Sequence, residues 1–185
     1  MRVISGKFGG RKLKPVSGKQ TRPTTDKVRG ALFNMIGPYF ESKNHFLDLY
    51  AGSGAVAIEA ISRGMGKATL VDKSYLAIKS INENIQIDQN YNEHFEILKL
   101  DSKQALKKFS QNNEKFDYVF LDPPYQKQKM VEELNNLYSL KLLNQNAYVI
   151  CETDNQVNLK DDIEHFELVK QKDYGLTIVS IYQLK

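Results

Sequence analysis

The sequence predicts an α/β protein with a Rossmann-like, mostly parallel seven-stranded sheet, a C-terminal antiparallel hairpin and a short basic N-terminal extension. From residue 45, apolar strand-like stretches alternate with helical ones; the strands read HFLDLYAG, KATLVDK, FEILKLD, FDYVFLD and NAYVICET. This alternation is typical of a parallel sheet covered by helices on both faces. The end of the chain differs, because HFELVKQKDYG and LTIVSIYQL meet near Gly175 with no helix between them. That pattern predicts an antiparallel hairpin at one edge.

The helices follow from apolar periodicity and from residues that start or stop a helix. Helical patterns occupy GAVAIEAISRG, residues 74–88, SKQALKKF and KMVEELNNLYSL. An earlier one begins at TRPTTDKVRGALFNMI, where Thr24 or Thr25 can cap the helix and Asp26 suits its positive end. We therefore expect two parts: a basic hairpin and helix over residues 1–40, and the α/β body over residues 41–185.

Composition excludes several classes of protein. The hydrophobic fraction of 41% is sufficient for a core, and 185 residues suggest one domain. We expect no membrane span, since no stretch has 18 uninterrupted apolar residues, and no secretory signal, since MRVISGKFGG is polar. A lone cysteine, Cys151, is expected to be a buried thiol in a cytoplasmic protein. Three scattered histidines give no metal-ligand spacing, so we expect no metal.

Positive charge is concentrated at the N-terminus. The first thirty residues carry nine Lys or Arg and one acid, a net +8, whereas the remaining residues sum to −4. A basic arm on a mildly acidic body is typical of a polyanion binder. We interpret it as a nucleic-acid-binding segment, although glycines within it also fit a solvated tail. The expected RNA-binding residues are Arg2, Lys7, Arg11, Lys12, Lys14, Arg22 and Arg29.

Polar residues cluster at the predicted carboxyl ends of the first three strands. The first strand leads into DLYAGSGA, where Gly52 and Gly54 permit a tight turn and a close ligand approach. The second strand ends at Asp72, which can accept hydrogen bonds from ribose hydroxyls, and the third at Asp101, which can reach an adenine amine. In an open parallel sheet, ligands bind at this edge. The sequence therefore predicts a nucleoside-containing cofactor there.

Two cofactors compete for this site. Gly52, Gly54 and Ala57 also satisfy the dinucleotide fingerprint, with Asp72 as its ribose acid, so an NAD enzyme is a rival. Asp48 lies four residues before the first glycine, and its charge would repel a pyrophosphate but suits a ligand with ammonium and sulfonium groups. We therefore predict S-adenosylmethionine. The expected cofactor-binding residues are Asp48, Tyr50, Gly52, Gly54, Asp72, Lys73, Asp101 and Ser102.

The stretch FLDPPY follows the fourth strand and carries the predicted chemistry. An exocyclic base amine is a poor nucleophile because its lone pair is delocalised into the ring. Asp122 and the carbonyl of Pro123 can accept the amine hydrogens and localise that lone pair. Two prolines fix the backbone, so both acceptors are aimed in advance. We predict amine methylation, with Asp122, Pro123 and Pro124 as catalytic residues and Tyr125 stacking on the base.

An aspartate in this motif favours guanine. Guanine presents N1–H and N2–H side by side as donors, and a carboxylate is an acceptor only. Adenine pairs its amine with an acceptor, which an asparagine would complement better. The base must leave its stack to reach the pocket, and the basic arm would then hold flanking phosphates. Arg22 and Arg29 flank the start of the first helix and are expected near RNA or cofactor.

Three stretches carry a resemblance to a known family. MRVISGKFGGRKLK, RPTTDKVRGALFN, and FLDLYAGSGAVAIEA with VFLDPPY make the chain similar to RsmD-type bacterial methyltransferases of small-subunit ribosomal RNA, nearly end to end. The resemblance implies the class I S-adenosylmethionine-dependent methyltransferase fold and guanine-N2 methylation of 16S rRNA in the 30S subunit or an assembly intermediate. It also places Asp48, Gly52, Gly54, Asp72 and Asp101 around the cofactor. Members of this family often have glutamate where Gly30 stands here.

Two alternatives stay open at this point. One is an amine methyltransferase that acts on another nucleic acid, at an adenine or cytosine amine. The length of the chain leaves no room for a separate DNA-recognition domain, which argues against sequence-specific DNA methylation. The other is a non-catalytic RNA-binding assembly factor that keeps a methylase fold, against which the intact acids and DPPY motif argue.

Overall fold

The computed structural model describes residues 1–18, 24–124, 126–157, 159 and 162–185, with the backbone alone at 126–128 and 162. The predictions for Arg22 and Tyr125 therefore lie outside the described residues. The chain divides into two compact units, Met1–Ser102 and Lys103–Lys185. The first unit contains both the predicted basic arm and the first three strands. Within the described part of the chain, no helix combines the length and hydropathy required to cross a membrane.

The first unit is a parallel β/α arrangement. Its helices are α1 (Asp26–Ile36), α2 (Ala55–Ser62), α3 (Tyr75–Asn84), followed by a 3₁₀ turn (Ile85–Ile87), and α4 (Tyr91–His94). Its strands are β1 (His45–Asp48), β2 (Lys67–Val71) and β3 (Phe95–Leu98). β2 pairs in parallel with β1 on one side and with β3 on the other. The predicted strands are confirmed, although β3 ends three residues before Asp101.

Helix starts in this unit follow local chemistry. Thr25 caps α1, as predicted, by accepting a hydrogen bond from the Val28 amide. Ser74 caps α3 in the same way through the Ala77 amide. The helix predicted over residues 74–88 is shorter than expected, because α3 ends at Asn84 and a 3₁₀ turn follows. The sequence pattern gave no signal for α4, which is one turn long.

The second unit contains the remaining strands and two helices. They are α5, which begins at Ser102 and ends at Gln111, β4 (Phe116–Leu121), α6 (Gln126–Ser139), β5 (Leu143–Asp154), β6 (Asp162–Ile163), β7 (Phe166–Asp173) and β8 (Thr177–Leu184). β4 and β5 are parallel, β8 pairs antiparallel with β5, and β7 pairs antiparallel with β8. The predicted hairpin at Gly175 is confirmed, and its φ of 90° suits glycine. β6 is an unpredicted two-residue addition on β7.

The N-terminal segment folds back on itself and packs on α2. Arg2 and Lys12 form an antiparallel bridge, and the Val3 amide donates to the Arg11 carbonyl at 2.9 Å. The Ser62 hydroxyl at the end of α2 donates to the Ser5 carbonyl and accepts from the Phe8 amide. The backbone of Gly6 lies so close to α2 that a Cβ at this position would be 1.9 Å from the Ser62 carbonyl oxygen.

A buried carboxylate anchors this segment. Glu59 in α2 is fully buried and accepts the amides of Ile4 at 2.7 Å and Ser5 at 3.0 Å. It also pairs with Arg63 at 2.7 Å and with Arg29 at 3.7 Å, and both arginines are buried. A buried charge is tolerated only when it is paired and hydrogen-bonded, and Glu59 meets both conditions. The arm is therefore a fixed part of the first unit.

Gly30, the departure from the family pattern, lies inside α1 beneath the arm. A Cβ at this position would lie 3.3 Å from the side chain of Ile4. A side chain here would require the Ile4 side chain to shift by a few tenths of an ångström. Glycine in place of alanine destabilises α1 by about 1 kcal/mol. Because glycine has no side chain, the arm can pack closely on the helix.

Glu59→Gln should destabilise the fold strongly, because it removes the carboxylate that pairs with the buried Arg63 and leaves the buried Arg29 with Asp26 alone. We expect a loss of about 3–5 kcal/mol in the free energy of unfolding, measured by urea denaturation. Glu41→Gln is the control, since Glu41 and its partner Lys43 are both exposed, and it should change stability by less than about 0.5 kcal/mol. Equal effects of the two substitutions would contradict the anchoring role.

Candidate functional site

The predicted glycine turn connects β1 to α2 and has left-handed backbone at both glycines. Gly52 has a φ of 55° and Gly54 a φ of 78°. The Ala51 amide donates to the Val71 carbonyl at 2.9 Å, and the Gly54 amide donates to the Ala51 carbonyl at 2.7 Å. Gly54 is the N-cap of α2 and supplies no side chain to cap it. The first amides of α2 therefore lack a side-chain acceptor from this residue, which suits a helix start that receives a ligand.

The two glycines differ in their surroundings. A Cβ at Gly54 would lie 3.0 Å from Leu70 and 3.3 Å from Ile81, so the side of the turn at Gly54 is packed against β2 and α3. At Gly52, a Cβ would meet nothing within 4 Å among the described residues. Gly54 is therefore required for packing, whereas Gly52 leaves open space beside the backbone. Such space at a turn is what a close-bound cofactor requires.

Asp72 follows β2 directly and is bonded to this turn. Its carboxylate accepts the Gly52 amide at 2.9 Å through one oxygen and the Ser74 amide at 2.8 Å through the other. An ionised carboxylate offers about four acceptor positions, so each oxygen retains one. Asp72 is only half-buried, and those remaining positions can receive the hydroxyls of a ribose. A hydrogen bond therefore holds Asp72 against the glycine turn at Gly52.

The other predicted cofactor residues occupy different environments. Asp48, the last residue of β1, is 1% exposed, and Tyr50 after it is half-buried. Ser102 is buried at the start of α5. Lys73 and Asp101 are exposed. Most of these residues lie at or just after the same end of the paired strands β1 and β2: Asp48, Tyr50, Gly52, Gly54 and Asp72. Asp101 lies after the end of β3.

Asp122 follows β4 in the second unit and lies next to two other acids. Leu121 is paired with Cys151, so Asp122 and Glu152 extend from neighbouring strands at the same level. Burial, together with the negative charges of Glu152 and Asp154, raises the pKa of Asp122 to about 7. Pro123 is buried and Pro124 is exposed. A largely buried carboxylate with a near-neutral pKa is typical of a functional site.

The predicted RNA-binding residues of the arm are mostly at the surface. Arg2, Lys7 and Lys14 have side chains that are 69%, 45% and 74% exposed, and each lies near one acid, Asp26, Asp88 and Glu83 respectively. The Arg2 and Lys14 pairs are exposed and contribute little to stability, so these two cations can still contact a phosphate. Lys7 differs, because its partner Asp88 is buried. Arg11 and Lys12 are exposed, and no ion pair to a described carboxylate involves them.

The predicted nucleic-acid contact of Arg29 does not fit the structure. Its side chain is completely buried, donates to Asp26 at 2.8 Å and to the Arg2 carbonyl, and pairs with Glu59. A guanidinium in this position holds α1 against the arm. The sequence suggested a surface residue because Arg29 lies in a basic stretch, whereas its partner Glu59 is distant in the chain.

Sequence reasoning also missed Asn84 and Glu59. Asn84 is 3% exposed and its side chain bonds to Ser53 in the glycine turn and to Lys14 in the arm. A polar residue on the apolar face of a predicted helix was the available signal for both. Among the described residues there is no group of three or more His, Cys, Asp or Glu side chains that could hold a metal ion.

Asp122→Asn should make the protein more stable at high pH. The folded-state pKa of about 7 lies above the ordinary value of 3.8, so between these values the folded chain keeps a proton that the unfolded chain has lost. Stability therefore falls as pH rises through this window. Asparagine removes that penalty, and its stability advantage should grow by about 3 kcal/mol between pH 5 and pH 8.

The measurement is urea unfolding of both proteins at the two pH values. A difference between wild type and Asp122→Asn that stays constant with pH would contradict the raised pKa. Direct carbon NMR titration of the Asp122 carboxyl group gives an independent check on the same point.

Comparison with known proteins identifies relatives over the whole chain. The family described as Conserved hypothetical protein 95 matches residues 1–183. The Bacillus subtilis protein YlbH is 39% identical over 183 residues, which cover 99% of this chain and 98% of the relative. Ribosomal RNA small subunit methyltransferase D of Haemophilus influenzae is 33% identical, covering 99% of this chain and 93% of the relative.

A solved structure supports the same relationship. The Escherichia coli protein yhhF superposes with a TM-score of 0.83 at 27% sequence identity, covering 100% of this chain and 98% of that one. The fold is therefore the class I methyltransferase fold that the sequence predicts. From the match over residues 1–183, this chain belongs to the Conserved hypothetical protein 95 family, the family of RsmD-type methyltransferases.

Proposed function

We propose that this chain methylates the exocyclic N2 amine of a guanine in 16S ribosomal RNA, with S-adenosylmethionine as the cofactor. The coarser part of this proposal, methylation of ribosomal RNA, is supported by the small-subunit methyltransferase relative from Haemophilus influenzae. The choice of guanine N2 depends on one observation, the largely buried carboxylate of Asp122 directly after β4.

The first unit fits S-adenosylmethionine. Asp72 retains acceptor positions for ribose hydroxyls while its oxygens hold the Gly52 and Ser74 amides. Open space beside Gly52 leaves room for the ligand backbone. The buried charge of Asp48 suits an ammonium or sulfonium group and disfavours the pyrophosphate of NAD. When bound, S-adenosylmethionine supplies an electrophilic methyl group.

The second unit supplies the acceptors for the amine. In its ionised form, Asp122 accepts hydrogens from N1 and N2 of guanine, and the Pro123 carbonyl accepts the second N2 hydrogen. These bonds draw the nitrogen lone pair out of the ring and stabilise the positive charge that develops on nitrogen. Because burial holds the pKa of Asp122 at about 7, the ionised acceptor becomes more abundant as pH rises through neutrality. Methyl transfer at limiting substrate should rise over the same range.

The arm supplies contacts to the RNA backbone. Arg11 and Lys12 are exposed on the returning side of the N-terminal hairpin, where Lys12 is bridged to Arg2. Lys7 and Lys14 extend the positive surface. Phosphate contacts of this kind position the substrate and make binding dependent on salt. We infer that the substrate is a structured RNA, either the 30S subunit or an assembly intermediate, because the Haemophilus influenzae relative is named for ribosomal RNA of the small subunit.

The test is transfer of a labelled methyl group to 30S subunits from a strain that lacks the enzyme. We expect N2-methylguanosine after nuclease digestion and mass spectrometry, and no label on free DNA. Asp122→Asn should reduce the rate of methyl transfer by at least about 100-fold, since it removes the negative charge that stabilises the developing positive charge on nitrogen in the transition state. Asp117→Asn, in the same strand and bonded to Asn144, is the matched control and should keep near-normal activity.

Two results would overturn the proposal. Label found on adenine, on cytosine or equally on DNA would exclude guanine N2 as the target. Turnover by Asp122→Asn at the wild-type rate would exclude the carboxylate as the amine acceptor, even if the RNA is the correct substrate.

A further inference from the structure

One buried side chain connects the glycine turn to the basic arm. Asn84, the last residue of α3, is 3% exposed. Its amide nitrogen donates to the Ser53 carbonyl at 2.9 Å and to the Lys14 carbonyl at 2.9 Å, while its amide oxygen accepts the Lys14 amide at 2.8 Å. Ser53 lies between the two glycines of the cofactor turn, and Lys14 lies in the arm.

These three bonds use both hydrogens of the Asn84 amide. An amide group carries two donors, and each is directed at a different segment of the chain. The Asn84 side chain cannot rotate without leaving at least one of these two carbonyls without its hydrogen bond, which is unfavourable. The backbone positions of Ser53 and Lys14 are therefore fixed by the same group, although 39 residues separate them in the sequence.

Further contacts join the same two segments. The Ser53 hydroxyl lies 3.7 Å from the Met1 sulfur, and the Met1 carbonyl accepts the Leu13 amide at 3.0 Å. Beyond Lys14, the Pro15 carbonyl accepts the Ser80 hydroxyl of α3 at 3.4 Å. Both ends of the N-terminal hairpin therefore contact this part of the first unit: Met1 contacts the glycine turn, and Pro15 contacts α3.

The cofactor side of the same turn is held by a different bond. The Gly52 amide, one residue before Ser53, donates to Asp72, the residue proposed to bind ribose. A ligand on Asp72 and an RNA on the arm would therefore act on opposite ends of one short, hydrogen-bonded path. Only ordinary backbone and side-chain hydrogen bonds lie along that path, and every one of them is within the first unit.

We propose that Asn84 is a positioning residue that couples the cofactor turn to the RNA-binding arm, so that cofactor and RNA each strengthen the binding of the other. This inference rests on the proposed function. A ligand that orders the turn fixes the Ser53 carbonyl, the Asn84 rotamer and the Lys14 backbone. RNA then binds an arm that has already lost part of its conformational freedom, and linkage requires the reverse effect to be equal.

The test measures the affinity of S-adenosylhomocysteine by calorimetry with and without saturating 30S subunits from a strain that lacks the enzyme. In the wild type, we expect the RNA to tighten binding by about 5-fold or more. Asn84→Asp should lose this coupling, because its carboxylate still accepts the Lys14 amide but donates to neither carbonyl. Asn82→Asp is the matched control, since Asn82 is exposed on the same helix and bonds only within it.

Retained coupling in Asn84→Asp, or equal loss in Asn82→Asp, would overturn the assignment to Asn84. If Asn84→Asp does not fold, hydrogen exchange of the Lys14 amide in the wild type replaces it. Saturation with S-adenosylhomocysteine should slow that exchange by about 5-fold or more, and an unchanged rate would overturn the inference.

These results distinguish the inference from the proposed function. Wild-type protein that binds S-adenosylhomocysteine and RNA independently refutes the coupling alone. Wild-type protein that binds neither refutes the proposed function, and the coupling fails with it.

Discussion

The first unit depends on a single local constraint, the left-handed turn that carries the chain from β1 into α2. Gly52 and Gly54 supply backbone conformations that other residues adopt at a cost of about 1–2 kcal/mol. Three independent groups fix this turn: the Val71 carbonyl holds Ala51, the Asp72 carboxylate holds Gly52, and the Asn84 amide holds Ser53. The turn is thus held by bonds from β2, from Asp72 after it and from α3.

Buried charge serves two different purposes in this chain. Glu59 is surrounded by two guanidinium groups and two backbone amides, so its negative charge is compensated and the arm is held on α2. Asp122 has the opposite environment, because burial and then the neighbouring acids Glu152 and Asp154 raise its pKa. The arrangement around Glu59 stabilises the fold, whereas the environment of Asp122 destabilises its ionised form and lowers the stability of the fold above neutral pH. That contrast is typical of a structural and a functional acid.

Local patterns in the sequence were enough to predict most of the fold. Strand and helix positions follow from apolar periodicity, and the Gly175 hairpin and the Thr25 cap follow from turn and cap chemistry. Interactions between distant residues could not be predicted. Arg29 reads as a surface cation in a basic stretch, but Glu59, thirty residues further on, buries it. The position of Asn84 on an apolar helix face marks it as unusual, but its partners Lys14 and Ser53 are distant in the chain and could not be predicted. For the same reason, the predicted roles of Asp48, Asp72 and Asp122 remain proposals about chemistry on a confirmed fold.

The most direct measurement is a crystal structure with S-adenosylhomocysteine bound. Our account predicts the ribose hydroxyls within hydrogen-bonding distance of Asp72, the ligand in the open space beside Gly52, and the Asn84 bonds to Ser53 and Lys14 intact. A ligand bound away from the 51–54 turn, or an Asp72 carboxylate that makes no contact with the ribose, would contradict it.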